Sequence, residues 1–345
     1  VINIFKKYQY FLREINMKYF TYLIISLLFI FVVFILAGDY VYRTGTKVLC
    51  GVHEYHKRNT PASFYTPGKN NGPFKGSDWD KWVDYDLSDW WVDKNSFSNV
   101  EISNDNKDVV LVGWWMRNKL SYDKTVVVVH GLNTNRQDFN VILPANMIYK
   151  SGFNVLLIDL RDSGESTCQD SRHSAGQEEA DDILSAVKWL NKTKGIETKS
   201  IGIHGISGGA IAAMVASVKN EELKVISLES PIFDFNKAAK DEVIYQGFPG
   251  FLWTAAYWAA RIRGVDLMAI SPRDAIKNIK NKNFQLIHGK NDSRVKYSNS
   301  LDLISFAKSL NVHIPLYTFE GADHTEGLLT DTKRYSEILV NFFNE

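Results

Sequence analysis

Short apolar runs rich in β-branched residues alternate with longer helical patterns from Ser98 to the end of the 345-residue chain. The strand candidates are Val109–Trp115, Val126–Val129, Asn154–Ile158, Ser200–His204, Lys224–Leu228, Phe284–His288 and Ile314–Phe319. The helical candidates lie near 136–150, 177–192, 208–219, 296–310 and 331–343. This alternation predicts an α/β fold, with a mostly parallel sheet and helices on both of its faces.

One stretch, at about 233–270, interrupts the alternation. It is too long for a simple crossover and rich in large apolar residues, which predicts two or three inserted helices that cap a site. An apolar cap favours an apolar acyl group or peptide side chain as substrate, with Phe251, Trp253 and Tyr257 as candidate substrate contacts. Plain packing within the cap is the alternative for most of its aromatic residues.

The run Tyr19–Ala37 contains no charged residue and is long enough to cross a bilayer as a helix. It predicts a transmembrane helix at 19–38 after a cytoplasmic segment at 1–18, with a cleaved signal peptide as the competing interpretation. A slight excess of Lys and Arg before the run favours a cytoplasmic N-terminus, which places the large domain outside the cell membrane. If translation began at Met17, only Lys18 would mark the inside, and the signal peptide would gain support.

Residues 39–97 are irregular and contain several prolines and four tryptophans, namely Trp79, Trp82, Trp90 and Trp91. This composition predicts a connecting segment that packs onto the following domain, at 98–345, through its aromatic side chains. A platform for carbohydrate or for a lipid surface is the functional alternative.

Composition excludes some classes of function. The net charge is +1 and the basic residues are dispersed, so a nucleic-acid partner is not expected. The two cysteines, Cys50 and Cys168, do not form a disulfide framework, and two unpaired thiols are expected, with a single bridge as the alternative. His53 and His56 lack zinc-site spacing, so they are interpreted as surface residues and no metal is expected.

The strand candidate Ser200–His204 leads directly into Gly205-Ile206-Ser207-Gly208-Gly209 and then into a helix. A Gly-x-Ser-x-Gly sequence between a strand and a helix predicts a sharp turn that exposes the serine hydroxyl above the sheet. The first backbone N–H groups of the helix point toward incoming negative charge. Ser207 is therefore the candidate nucleophile.

A serine hydroxyl needs a base, and the base needs an orienting carboxylate. His324 follows the last predicted strand, and Asp292 follows the strand ending in His288. Both positions are at the carboxyl ends of strands, where open α/β sheets place their sites. Asp234 and Asp323 are the rival carboxylates.

An oxyanion formed during acyl transfer requires two backbone donors. Gly208, which follows the nucleophile, is one candidate, and Leu132 in the loop after Val126–Val129 is the other. Asn133 and Arg136 lie in the same loop, where they either contact substrate or brace the loop.

From about Ser98 onward the chain resembles the α/β-hydrolase superfamily of serine hydrolases, especially its monoglyceride-lipase-like esterases and serine aminopeptidases. The matching motifs are HGLN (130–133), DLRDSGES (159–166), GISGG (205–209), SPRDAI (271–276), HGKND (288–292) and GADH (321–324). The resemblance implies an eight-stranded sheet with a helical cap, no metal and no cofactor, and a structural role for Asp159 and Arg161. In this superfamily the residue after the nucleophile is usually bulky or charged, and Gly208 departs from that pattern. Glycine also occurs there in some members.

These features predict a membrane-anchored serine esterase or lipase-like enzyme that acts on a small-molecule or peptide acyl substrate. An aminopeptidase is the first alternative, and it would need an acidic group near the cap to hold the ammonium group of its substrate. The candidates for that group are Glu229, Asp234, Asp241 and Glu242. A catalytically silent binding module on a membrane anchor is the second alternative.

Overall fold

The chain, seen here as a computed structural model, is described for residues 2–51, 58–69, 74, 76–120 and 124–344, and for side chains from Met17 onward. His53 and His56, interpreted above as surface residues, lie outside the described residues.

A single eight-stranded sheet forms the centre of the described structure, in the order β1-β2-β4-β3-β5-β6-β7-β8. The strands are β1 (Ser98–Ser103), β2 (Val110–Met116), β3 (Thr125–Val129), β4 (Asn154–Ile158), β5 (Ile201–Ile206), β6 (Val225–Glu229), β7 (Asn283–Gly289) and β8 (Leu316–Phe319). β2 pairs antiparallel with β1 and with β4, and the remaining pairings are parallel. The predicted mostly parallel sheet is confirmed.

β1 is the strand that the pattern of apolar runs does not reveal. Its sequence is Ser-Asn-Val-Glu-Ile-Ser, and of these residues only Ile102 is fully buried. An edge strand with one partly solvated face needs no continuous apolar run. β3 is the opposite case, because all five of its residues are buried at the centre of the sheet.

Helices cover both faces of the sheet. The helices of the described chain, not all of which lie on the sheet, are α1 (Ile2–Gly45), α2 (Phe139–Lys150), α3 (Gln177–Trp189), α4 (Gly208–Lys219), α5 (Phe235–Tyr245), α6 (Leu252–Ile262), α7 (Pro272–Lys277), α8 (Ser298–Ser309), α9 (Gly327–Thr330) and α10 (Thr332–Asn344). One apolar core packs α3, α4, α7 and α8 on one face, and a second packs α2 and α10 on the other. Each face therefore has its own core.

The chain divides into two compact units. The larger one, the sheet unit, comprises Thr46–Ala238 and Leu267–Glu345, and the smaller one comprises the chain up to Gly45 together with Ala239–Asp266. α1 therefore lies in the same unit as α6, which is a helix of the stretch predicted to form a cap. Of the segment at 39–97, predicted to connect the anchor to the domain, residues 39–45 continue α1 and residues 46–97 belong to the sheet unit.

The tryptophans of this segment pack into the sheet unit, as predicted. Trp79 is buried against Phe139 of α2, with ring centroids 5.3 Å apart. The indole N–H of Trp91 donates a hydrogen bond to the carbonyl oxygen of Phe64. Trp82, Trp90 and Trp91 lie partly buried against the same core. Burial of Trp79 argues against a platform built from all four rings.

The expectation of two unpaired thiols is wrong, because Cys50 and Cys168 form a disulfide with Cα atoms 5.8 Å apart. The chain brings them together through a backbone hydrogen bond from the N–H of Val48 to the carbonyl of Ser171, a pairing between segments that no local pattern reveals. Asp162 lies close enough to both sulfur atoms to share a metal ion with them. Since the bridge leaves no thiolate, this cluster lacks the soft anionic ligands that such a site would use.

Replacing both cysteines by serine is expected to lower the free energy of unfolding by about 2–5 kcal/mol, because the bridge closes a long loop in the unfolded chain. The bridged cysteines are 118 residues apart in sequence. Guanidinium unfolding of the oxidised parent, the reduced parent and the double variant measures the effect. The last two should agree, and equal stability of all three would contradict the prediction.

Candidate active site

Ser207 occupies a sharp turn between β5 and α4. Its φ of 54° and ψ of −113° lie outside the regions that L-residues favour. The Ser207 N–H donates to the carbonyl oxygen of Glu229 at the end of β6, at 2.9 Å, which holds the turn against the sheet. Such strain persists only where surrounding structure imposes it, and it is commonly found at functional sites.

The two outer glycines of the motif are required by close backbone approach. A Cβ atom on Gly205 would lie 2.5 Å from the carbonyl oxygen of Gly209. A Cβ atom on Gly209 would lie 2.5 Å from the carbonyl oxygens of both Val129 and His130. No side chain fits at either position, so the Gly-x-Ser-x-Gly spacing has a direct steric cause here.

His324 reaches Ser207 from the loop after β8. Its Nε2 atom lies 2.9 Å from Oγ of Ser207, and its Nδ1 atom lies 2.8 Å from Oδ2 of Asp292. An ionised carboxylate accepts hydrogen bonds only, so Nδ1 carries the proton and Nε2 is free to accept one from the serine hydroxyl. The ring of Phe74 packs edge-on against the imidazole, with centroids 5.8 Å apart.

Asp292 is a buried carboxylate whose oxygens are both fully engaged. Oδ1 accepts from the backbone N–H groups of Arg294 and Val295, and Oδ2 accepts from the hydroxyl of Ser230 and from the His324 ring. Nε2 of His288 lies 3.1 Å from the same Oδ2 atom. These donors fix the direction in which the carboxylate faces His324.

The environment of Asp292 also keeps it ionised. Burial by itself would raise the pKa of this carboxyl group, but the charge of His324 and the hydrogen bonds from His288 and His324 outweigh it. The pKa of Asp292 therefore lies well below its usual value. A permanent negative charge beside Nδ1 favours the imidazolium that would form when His324 takes a proton.

The rival carboxylates have other partners. Asp234 accepts the backbone N–H of Lys237 at 3.0 Å, at the start of α5. Asp323 accepts from the backbone N–H and hydroxyl of Ser293 and from the backbone N–H of His324. It therefore joins the loops after β7 and β8, and of the three candidates Asp292 is the one hydrogen-bonded to the imidazole.

The predicted oxyanion donors, Leu132 and Gly208, lie in two loops that touch beside Ser207. A Cβ atom on Gly208 would lie 3.1 Å from the backbone nitrogen of Leu132, and one on Gly131 would lie 3.1 Å from Cβ of Ser207. The preceding residue, His130, braces the first loop. Its Nε2 atom accepts from the N–H of Leu160, and its Nδ1 atom donates to the carbonyl oxygen of Gly131.

Gly208→Ala is expected to lower kcat about tenfold to a hundredfold with little change in KM, because displacing an oxyanion donor weakens transition-state binding. The new methyl group would meet Cγ of Leu132 at 2.8 Å and press on its backbone. Steady-state kinetics on a soluble ester test this. Gly45→Ala is the matched control, since a Cβ there meets nothing within 4 Å. Parent-like kcat in both variants would contradict the placement of the donor.

Arg136 is predicted either to contact substrate or to brace its loop. It is 2% exposed, and its guanidinium pairs with Asp159 and Glu165 and stacks on the ring of Trp114. These contacts match the bracing alternative, and contact with substrate remains a prediction. Asp159, which pairs with Arg136, has the structural role in holding loops together that the resemblance implies.

Arg161 likewise ties loops, as the resemblance implies, through hydrogen bonds from its guanidinium to the buried Asp182. Asn133 is exposed, and its side-chain oxygen accepts the N–H of Leu49 at 3.3 Å. Its contact with substrate remains a prediction. The same holds for the three cap residues Phe251, Trp253 and Tyr257, which lie in the smaller unit.

Two residues that hold Asp292 escape sequence reasoning, namely Ser230 and His288. Ser230 directly follows β6, and His288 lies inside β7, four residues before the carboxylate. Nδ1 of His288 lies 2.7 Å from the hydroxyl of Ser300, and its Nε2 atom lies 2.8 Å from the carbonyl oxygen of Val295. The signal for His288 was its place as the first residue of the HGKND motif, whereas Ser230 lies in none of the matching motifs.

Comparison with known proteins agrees with this fold. A family model described as the prolyl oligopeptidase family, Peptidase_S9, matches residues 139–345. A thiohydrolase of Aspergillus aculeatus is 27% identical over 176 residues, which are 48% of this chain and 52% of that protein. The chain thus spans about half the length of this curated relative.

Solved structures give the same fold. The esterase Pf2001 of Pyrococcus furiosus is 25% identical with a TM-score of 0.59, over 74% of this chain and 95% of that chain. The acylaminoacyl peptidase of Pyrococcus horikoshii is 19% identical with a TM-score of 0.56, over 72% and 41% of the respective chains. Since the family match extends over more than half of the chain and the eight-stranded sheet agrees with it, this chain belongs to the prolyl oligopeptidase family of α/β-hydrolases.

Proposed function

We propose that the protein is a serine hydrolase that cleaves carboxylic esters through an acyl-enzyme on Ser207. The observation that carries the proposal is the continuous hydrogen-bonded chain from Oγ of Ser207 through the imidazole of His324 to the carboxylate of Asp292. Such a chain provides a nucleophile, a base and an orienting charge in the order that acyl transfer requires.

In the first half-reaction, Oγ of Ser207 attacks the carbonyl carbon of the ester, and its proton passes to Nε2 of His324. The carbonyl electron pair moves onto oxygen, where the N–H groups of Leu132 and Gly208 stabilise the negative charge. Collapse of this intermediate breaks the bond to the alkoxy oxygen. The leaving alcohol takes the proton from His324.

In the second half-reaction, water attacks the acyl carbon and gives its proton to Nε2 of His324. The tetrahedral intermediate collapses, the acid is released, and the proton returns to Ser207. Asp292 stabilises the imidazolium in both halves, and its lowered pKa keeps it charged while the imidazole is protonated. The enzyme therefore needs no metal ion or organic cofactor for this cycle.

An ester preference is supported by the similarity to proteins named as an esterase and a thiohydrolase. Aminopeptidase activity is the second candidate, favoured by the family match. None of its four candidate ammonium-binding carboxylates is without a partner among the described residues, and Glu242, for example, accepts from the side-chain amide of Gln246. Glu229 is buried and accepts the hydroxyl of Tyr335 at 2.5 Å, and Asp234 caps a helix.

Two substrate panels distinguish these activities. Nitrophenyl esters of increasing acyl length and aminoacyl-naphthylamides are given to the full chain in detergent. Turnover of esters with a preference for apolar acyl groups is expected. Selective turnover of aminoacyl-naphthylamides would replace the ester assignment with the aminopeptidase, and failure of both panels and of fluorophosphonate labelling would favour the silent binding module.

The proposal includes a membrane anchor. In the described chain one segment, Met17–Gly45 of α1, is long and apolar enough to cross a bilayer, a property that a signal sequence shares. The proposed topology is a single span in the cell membrane with the hydrolase on the extracytoplasmic side. An intact chain that resists alkaline carbonate extraction and is degraded by external protease is expected. Release of a shortened chain would favour a cleaved signal peptide.

A further inference from the structure

α6 carries a stripe of large apolar side chains on its solvent-exposed side. Phe251, Trp258 and Ile262 are 66%, 53% and 69% exposed. Their spacing of seven and then four residues places them on one face of a helix. We call these three residues the apolar stripe.

The side of α6 next to the stripe, where Ala255, Ala256, Ala259 and Ala260 are buried, packs on α1 within the same compact unit. A Cβ atom on Gly38 would lie 2.3 Å from the backbone carbonyl of Ala255, so the two helix backbones are in direct contact there. Asp39 pairs with the guanidinium of Arg263, and the ring of Tyr40 packs edge-on against Phe248. α6 is therefore held at residues 38–40 of α1.

This position coincides with the end of the uncharged run. Tyr19–Ala37 is about 28 Å long at a helical rise of ~1.5 Å per residue, which is close to the ~30 Å hydrocarbon thickness of a bilayer. Gly38 follows the run directly, and Val41 and Tyr42 beyond it are buried. If α1 spans a membrane, α6 lies at the depth where hydrocarbon gives way to head groups.

We infer that α6 is an interfacial helix, and that its apolar stripe inserts into the bilayer that α1 spans. The inference rests on the membrane anchor proposed above. Tryptophan is enriched at this depth, and an amphipathic helix gains free energy by burying its apolar face there. The partner surface is phospholipid, because the stripe is continuous with the segment proposed to be surrounded by lipid.

A fluorescent probe on a single new cysteine tests the inference. Cys50 and Cys168 are bridged, so Ile262→Cys in the full chain provides one reactive thiol under non-reducing conditions. Arg261→Cys is the matched control, since Arg261 is an exposed neighbour on the same helix whose side chain points about a quarter-turn away from that of Ile262. Each variant is labelled with a nitrobenzoxadiazole maleimide and reconstituted in phosphatidylcholine liposomes, and the labelled parent serves as the blank.

Doxyl-labelled phosphatidylcholine is expected to quench the Ile262 probe about threefold more strongly than the Arg261 probe, because apolar positions of an interfacial helix face the acyl chains. The inference would be overturned if both probes were quenched equally and weakly in chains that float with liposomes and resist carbonate extraction. The proposed anchor would stand in that case. An Ile262 probe shielded from iodide but not quenched by lipid would indicate a protein partner and would also overturn the inference. Extraction of the chain by carbonate would reject the anchor first, and the inference with it.

Discussion

Ser207→Ala is expected to abolish covalent labelling by a fluorophosphonate and to reduce kcat by about 10⁵-fold to 10⁶-fold, the range found when a triad nucleophile is removed. The reason is that the hydrogen-bonded chain from Asp292 through His324 activates only the Ser207 hydroxyl. Gel-based labelling and ester turnover measure the two effects. The circular dichroism spectrum should not change, because alanine removes one oxygen from a half-buried position.

Ser185→Ala is a suitable control for this experiment. Ser185 lies on α3, where its hydroxyl donates to the carbonyl oxygen of Asp181. The substitution therefore removes a serine hydroxyl that is not part of the candidate active site. This variant should label and turn over like the parent. Persistent labelling of Ser207→Ala would show that another residue is the nucleophile and would overturn the proposed function.

Asp292→Asn is expected to reduce kcat by about 10⁴-fold while the fold is retained, as carboxylate-to-amide changes in such triads do. An amide that donates to Nδ1 of His324 moves the ring proton to Nε2, which then cannot accept the proton of Ser207. Neutralisation also removes the charge that stabilises the imidazolium. Steady-state kinetics on the same ester, with the pH profile of kcat, measure the loss.

The rival carboxylates provide matched controls. In Asp323→Asn and Asp234→Asn the new amide oxygen can still accept the backbone N–H groups that the carboxylate binds now. Both variants should stay within about fivefold of the parent, since hydrogen bonds to backbone donors are kept. If Asp323→Asn lost as much activity as Asp292→Asn, or if Asp292→Asn remained active, the assignment of the acid would be wrong.

Much of the site was predictable because its parts are local. The turn at Ser207 needs a strand, glycines at two contact points and a helix, and these are consecutive in the chain. The loops that carry Asp292 and His324 follow strands whose carboxyl ends share one edge of a parallel sheet. Since Ser207, Asp292 and His324 all follow such strands, the parallel arrangement alone brings their side chains to that edge.

The choice among carboxylates was not local. Asp234, Asp292 and Asp323 all follow strands or adjoin the histidine, and sequence alone favours Asp292 only through its position directly after a strand. Tertiary packing decides the matter, because Ser230, which follows β6, and His288 of β7 hold Asp292 toward the imidazole. Ser230 lies in no sequence motif, and His288 begins the HGKND motif without its role being predicted.

What the sequence by itself determined was the α/β fold, the turn at Ser207 and the apolar run of α1, since periodicity, glycine spacing and unbroken hydrophobicity each act over a few consecutive residues. Only the tertiary structure decided that Cys50 meets Cys168 and that Arg136 pairs with Asp159 and Glu165. It likewise decided that α6 packs on α1. Each of these depends on contacts between residues far apart in the chain, whose energies are set by burial and geometry that no local pattern records.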